Sequence, residues 1–409
     1  MKFSFFDGRV YLKKVFPNTR EFGFFGLKVK YKRRKLSQRA INPKKVVFYS
    51  FTQSFACNPK YILKELMKLD SSLDFVWITK GAPKNADGFP KNVRVVSSLD
   101  DALEELNTAK VIITNDRLSY YLDRGYEKRE GQFLINTWHG SLGIKITGND
   151  RTDISNLDRI RNDWDAKNYD LLISNGTYST ELNKRILPGC NRIAEVGLPR
   201  NDILFNTSNS EFRAAYKIPQ HVRIALYAPT WRESKDTNCF NLNASDLIRS
   251  LEQRFGGEWI FCVRMHPRVK AKPDGCGVVD VSSWADIQEI MIESDVMITD
   301  YSSCIYDFVL TKRPGFIFAT DRAEYDNTRG LYYRLEETPF PIAENQAELE
   351  QNILCFDEAK YLQNVASFLN GKGCREDGNA SAKVALFLAN FLKTGEQDFD
   401  LLTKAEDIS

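Results

Sequence analysis

Three histidines occur in the 409-residue chain, His139, His221 and His266. Two of them directly follow apolar runs, in NTWHG and VRMHP. A histidine in a strand-end loop can take a proton near neutral pH or donate to a phosphate oxygen. One such histidine commonly makes only a structural hydrogen bond. Two of three in matching places point to function. Gly140 and Gly143, beside His139, permit close backbone approach. His221 sits in a polar stretch and receives no role.

The stretch SDVMITDYSSCIYDF, residues 294–308, reads as a second centre. A buried strand over 296–299 ends at Asp300, turns at Tyr301, and opens a helix at Ser302 and Ser303. Serine is a preferred helix cap, and a helix start offers free N–H groups to phosphate. Asp307 lies one turn further, on the face of Ser303. The plain alternative is that Asp300 and the serines only cap. Arginines cluster at other strand ends: Arg232 in APTWR, Arg264 and Arg268 around His266, Arg200 in GLPRND, and Arg329 in NTRGLYY. Guanidinium forks match phosphate oxygens, although each alone could be a surface ion pair. There is no GxxxxGK[ST], no GxGxxG, and no DxD pair at a strand end. Pyrophosphate charge is therefore expected to meet Arg, His and a helix start rather than metal.

Strands and helices must alternate to place these groups. The apolar runs at 46–50, 74–80, 93–97, 110–115, 133–138, 169–175 and 192–197 predict one sheet, with helices between them. Runs at 223–230, 258–266, 278–281, 296–299 and 315–320 predict another. Helices at about 346–357, 359–370 and 380–393 close the pattern, and the terminal ones are free to cross back to the first sheet. The fold class is α/β, with two doubly wound Rossmann-like domains facing a cleft, the GT-B architecture. The expected domains are 41–210 and 211–395, divided in a polar linker near 205–220, with a tail at 396–409.

Composition is that of a globular chain, with 43% hydrophobic and 27% charged residues. No apolar run reaches membrane-spanning length, and no secretory signal peptide is expected. The eight cysteines lack zinc spacing and read as reduced cytosolic thiols. Charge is uneven. Residues 1–45 hold fourteen Lys/Arg and two acids, a balance of +12 in a chain whose net charge is +3. Nine aromatic residues are interleaved there. Segment 1–40 is accordingly expected on an anionic membrane surface, with nucleic acid the rival reading, set aside, and a solvated or packed tail the bland one.

The motifs NTWHGS, GLPRND, APTWR, RMHP, SDVMITDYSS with YDF, and RGLYY resemble, in this order, those of the CDP-glycerol glycerophosphotransferase family. That family includes teichoic acid primases and polymerases and related capsule enzymes. The resemblance covers roughly residues 133–345. It implies a GT-B fold, no dedicated metal or cofactor, and work at the cytoplasmic membrane face. It also implies transfer of glycerol phosphate or ribitol phosphate from a CDP-activated donor to a lipid-linked or polymeric glycan acceptor. His139 is then the expected base and His266 a catalytic ligand of the donor phosphates. Arg232, Arg264, Asp300, Ser302, Ser303 and Asp307 are expected at the donor. Gly140, Lys145, Arg200 and Arg329 are candidate acceptor or phosphate contacts. The family loop commonly reads WHGTPLKK, and here it reads HGSLGIK, which leaves the acceptor open. A GT-B transferase of a UDP- or other nucleotide-linked sugar is the competing enzyme class, and a non-catalytic assembly protein the third reading.

Overall fold

A computed structural model describes residues 2–5, 10–16, 19–32, 39–83, 88–190, 192–205, 210–230, 232, 242–265, 277–328 and 330–403. His266, Arg268 and Arg329 lie outside the described residues.

The chain begins with an antiparallel sheet in the order β1 (Lys2–Phe5), β2 (Val10–Phe16), β3 (Thr19–Phe24), β4 (Leu27–Lys32). Composition pointed to this segment without revealing its strands. Next comes a seven-stranded sheet built from β5 (Asn42–Tyr49), β6 (Asp74–Ile78), β7 (Arg94–Val96), β8 (Ala109–Thr114), β9 (Phe133–Asn136), β10 (Leu171–Ser174) and β11 (Ile193–Glu195). Its order is β11-β10-β9-β8-β5-β6-β7, parallel throughout. The second sheet comprises β12 (Arg223–Tyr227), β13 (Trp259–Val263), β14 (Val278–Asp280), β15 (Val296–Thr299), β16 (Gly315–Phe318) and β17 (Ile342–Ala343). Its order is β14-β13-β12-β15-β16-β17, again parallel. Central strands such as VVFY and VMIT are buried on both faces, the signature of parallel sheets covered by helices.

Helices α1 (Cys57–Leu69), α2 (Leu99–Thr108), α3 (Ser119–Leu122), α4 (Asn156–Asn168) and α5 (Thr177–Ile186) belong to the first unit. Helices α6 (Ser210–Tyr216), α7 (Ala244–Phe255), α8 (Ile287–Glu293), α9 (Ile305–Phe308), α10 (Arg322–Thr328), α11 (Gln346–Leu354) and α12 (Glu358–Gly371) surround the second sheet. The last, α13 (Ala380–Thr394), crosses back. Its Val384, Phe387, Leu388 and Phe391 join Ile62, Leu63 and Leu66 of α1 in one core against the first sheet. The span 211–395 thus contains a helix that packs on the other domain. The return of a terminal helix to the first sheet agrees with the crossing back that the sequence pattern allowed. The exchange runs both ways, because Leu142 and Ile144, just after His139, sit in a core of the second domain.

Among the described residues, no helix is long and apolar enough to cross a membrane. Phe387 is fully buried in the first domain's core. Phe387→Ala should cost about 3–5 kcal/mol. Urea unfolding should show that loss in the transition of the first domain, although residue 387 follows the whole second sheet in sequence.

Candidate active site

A cleft of about 1120 Å³ lies between the two sheets, at the carboxyl ends of their strands. His139, Lys145, Arg200, Arg232, Arg264, Ser302, Ser303 and Asp307 all line it. Asp300 and Gly140 are not among the lining residues.

His139 hangs from the loop that leaves β9. Trp138 adopts a left-handed φ of 51°, uncommon for a bulky residue and held here by its surroundings. The Trp138 N–H donates to Asn136 Oδ1 at 2.6 Å. Asn58, in the first turn of α1, donates to the carbonyls of Thr137 and Trp138 at 3.2 and 2.9 Å. The imidazole lies against Phe51 and Trp138, with ring centroids 4.5 and 4.9 Å away. Its Nδ1 is 2.5 Å from the Asn115 carbonyl. A carbonyl only accepts, so Nδ1 carries the proton and Nε2 keeps its lone pair. Burial lowers the pKa of this imidazole, Asp116 and the Asn115 carbonyl oppose the shift, and Arg200 and Arg117 add to it. The neutral, proton-accepting form is therefore favoured at neutral pH.

Arg200 joins this loop to the other domain. One guanidinium nitrogen donates to the His139 carbonyl at 2.7 Å, and another lies 2.6 Å from Asp307. Asp307 also accepts from the Ser141 hydroxyl and from Gln288 Nε2, the latter at 3.3 Å. Both members of the pair are almost fully buried. Burial is the largest single influence on Arg200 and works against its charge, but Asp307, Cys57 and Glu376 together outweigh it and raise the guanidinium pKa. Burial likewise pushes the Asp307 carboxyl up, opposed by Arg200 and Ser141. Asp307 and Arg200 therefore tie the two domains and the histidine loop together while both still line the cleft.

Asp300 has a similar supporting part. Its carboxylate accepts from the Thr230 N–H at 2.8 Å and the Tyr301 N–H at 2.6 Å, and pairs with Arg232 at 2.8 Å. Arg232 also meets Asp321 at 2.5 Å and the Thr230 carbonyl at 2.6 Å. It lies against the stacked rings of Tyr301 and Tyr325. A donor phosphate reaching Arg232 would have to compete with two carboxylates. Sequence shows an acid at a strand end but not which neighbour its oxygens face, so Asp300 read as a ligand residue.

Arg264 differs. Its side chain bonds only neutral carbonyls among the described residues, those of Trp284 at 2.5 Å and of Val281 and Ala285 at 3.4 Å. Burial lowers its pKa, partly offset by Asp286. A half-buried cation that pairs with no acid among the described residues and faces a cleft suits an anionic ligand by charge. Lys145 reaches from the first domain to Thr230 Oγ1 at 3.2 Å. Ser302 and Ser303 occupy a turn, and the helix begins only at Ile305. The Ser302 hydroxyl faces the Cys304 thiol at 3.0 Å. A four-residue helix has a weak dipole, so the expected helix-start phosphate site reduces to hydroxyls and turn N–H groups. A Cβ built on Gly140 would make only ordinary contacts, with Trp138 at 3.4 Å and Ser303 Oγ at 3.8 Å. The protein itself thus has no steric need for glycine there, and Ser303 borders the His139 loop. Sequence reasoning missed Asn58, Asn115 and the bridge from Lys60 on α1 to Asp286 and Glu289 on α8. None of these lies in one of the motifs.

Two Rossmann-like domains facing one cleft make the GT-B architecture. The chain matches the family model described as CDP-Glycerol:Poly(glycerophosphate) glycerophosphotransferase over residues 30–390, and it belongs to that family. It is 30% identical over 367 residues to a teichoic acid poly(glycerol phosphate) polymerase of Staphylococcus epidermidis, covering 83% of this chain and 50% of the relative. A relative of the same description from Bacillus spizizenii is also 30% identical, over 84% of this chain and 91% of that one. The chain spans about half the length of the first two curated relatives that it matches. Among solved structures, the wall teichoic acid polymerase TagF superposes with a TM-score of 0.75 at 28% identity, over 87% of this chain and 90% of that one.

The buried pair makes its own prediction. Arg200→Met strands the Asp307 carboxylate and should cost about 3–5 kcal/mol. Adding Asp307→Asn should return a substantial part of that loss. A double-mutant cycle by urea unfolding measures the coupling.

Proposed function

We propose that this protein transfers glycerol phosphate, or ribitol phosphate, from a CDP-activated donor to a hydroxyl of a teichoic-acid-type acceptor and releases CMP. The observation that carries the reading is that His139, with Nε2 left as an acceptor, and Arg264, bonded only to carbonyls among the described residues, line one cleft. Relatives bear names of glycerol-phosphate and ribitol-phosphate enzymes, and a histidine-substituted TagF variant has been soaked with CDPG. Those names supply the substrate class.

In the proposed step, the acceptor hydroxyl gives its proton to His139 Nε2. The oxygen attacks the β-phosphorus, a new P–O bond forms, the bond to the CMP oxygen breaks, and CMP departs with the electron pair. Arg264, Ser302 and Ser303 stabilise charge on the phosphates. His266 joins them on the strength of its motif alone, as Arg329 does for the acceptor side. Arg200, Asp300 and Asp307 position these groups from behind, and Lys145 and Gly140 border the acceptor path. Such transfers depend mainly on positioning and electrostatics. The first domain would take the acceptor and the second the CDP donor. Work at the cytoplasmic face of a bacterial membrane, as a peripheral protein, follows from a lipid-linked acceptor and from the basic segment 1–40.

His139→Ala should lower turnover by roughly 10²–10⁴-fold while donor binding holds, because a general base acts only in the reaction. Equal loss of both would place His139 in binding. Arg264→Gln should weaken donor binding by about tenfold or more, as loss of a hydrogen bond to a charged group does. The lowered His139 pKa puts the acid limb of kcat/KM below the ordinary imidazole value of about 6.5. Asp116→Asn removes an opposing charge and should move that limb lower still; CMP release across pH reads it. Calorimetric titration with CDP-glycerol and CDP-ribitol, with UDP-GlcNAc as control, tests the donor. Binding of UDP-GlcNAc alone would overturn the reading in favour of a sugar transferase.

A further inference from the structure

The β3–β4 hairpin carries five of the ten large apolar side chains exposed among the described residues, so exposure is concentrated rather than scattered. They are Phe22, Phe24, Phe25, Leu27 and Val29, with Phe24, Phe25 and Leu27 exposed by 51%, 55% and 67%. Phe22 pairs with Val29 and Phe24 with Leu27 across the strands, so these four share one face. Phe25 and Gly26 form the tip, with φ values of 41° and 93°, the pattern of a tight two-residue hairpin turn. Ring contacts run from Phe22 to Phe24 and from Phe24 to Phe25, with centroids 6.4 and 5.1 Å apart.

The opposite face is already occupied within the sheet. A Cβ at Gly23 would fall 2.2 Å from the Tyr11 ring, which therefore lies directly over that glycine. The Tyr11 hydroxyl then reaches Glu21 at 2.8 Å. None of the four apolar cores takes a described residue from this sheet. Exposed Lys28 and Lys30 alternate with the apolar residues along β4, Lys30 lying 3.9 Å from Glu21, inside the segment whose balance is +12. Aromatic rings at a tip and ammonium groups just behind it match an anionic bilayer, where rings enter the interface and cations meet lipid phosphates. An ordinary protein partner would need no such charge density. Residues Phe22, Phe24, Phe25, Leu27 and Val29 precede the family match, which begins at residue 30.

We propose that the β3–β4 hairpin enters the interface of an anionic membrane tip first, Phe24, Phe25 and Leu27 leading and Lys28 and Lys30 against the lipid phosphates. This rests on the proposed membrane-side acceptor and names the element that would bring the cleft to it.

The test uses the full chain and vesicles of phosphatidylcholine with and without phosphatidylglycerol. The chain should sediment with the anionic vesicles only. Phe24→Thr with Phe25→Asn, which keeps a strand former and a turn former, should lower that partition roughly tenfold or more. CDP-glycerol titration of the same preparation should be unchanged, which shows the variant folded and tests the transferase reading separately. Phe25→Trp should add an emission component that shifts to the blue and is quenched by brominated lipid. Unchanged partition with an unshifted Trp signal would overturn the hairpin while leaving membrane binding through another surface. A concentration-dependent dimer that this double variant abolishes, without vesicle binding, would make the face a contact between copies and overturn the proposal. Failure to bind any vesicle would remove the membrane placement as well, with donor titration still deciding the chemistry.

Discussion

A buried ion pair between Arg200 and Asp307 fixes the relation of the two domains, and the cleft depends on it. Arg200 comes from a turn of the first domain and Asp307 from a short helix of the second. The pair is nearly sealed from water. Such a pair adds little net stability compared with an apolar contact, but losing one partner is severe. Its value here is geometric. The same guanidinium that finds Asp307 also holds the carbonyl of His139. One guanidinium thus joins the two domains and the His139 loop at the same point. Lys60, held between Asp286 and Glu289, repeats the arrangement on the neighbouring helices.

The charge balance of the cleft follows from these commitments. Arg200 is neutralised by Asp307, and Arg232 by Asp300 and Asp321. Arg264 bonds only carbonyl dipoles among the described residues and so retains its field for a ligand. A carbonyl can orient a guanidinium without cancelling its charge. The His139 ring is set by the same device, since a carbonyl on Nδ1 fixes the tautomer without donating a proton. Backbone oxygens thus orient both groups that the proposed reaction uses most directly. The Asn115 and Val281 carbonyls directly follow strands, and those of Trp284 and Ala285 belong to the loop after β14.

Continuity of chain between the domains reinforces the constraint. The segment after His139 does not return directly to its own sheet. Leu142 and Ile144 enter the second domain's core, and Tyr332 donates its N–H to the Ile144 carbonyl at 2.7 Å. In exchange, α13 completes the first domain's core. Each domain therefore buries apolar surface supplied by the other's stretch of sequence, and the histidine loop is anchored at both ends.

The sequence by itself determined the elements and the chemistry available. Fully apolar β-rich runs between helical periods imply parallel sheets, and nearly every strand of the two large sheets lies where its run stands. His139 and Arg264 were legible because each follows a buried strand, and strand ends face a ligand cleft in this fold class. The amphipathic β3–β4 hairpin was legible only as basic and aromatic composition, because antiparallel pairing depends on register rather than on content. Only the tertiary structure decided which charges cancel. Asp300, Asp307, Arg200 and Arg232 were legible as charges at strand ends, but not their ion-pair partners, which lie far away along the chain. Distance along the chain carries no information about a 2.6 Å contact. A charge acts on a ligand only to the extent that folding leaves it unpaired.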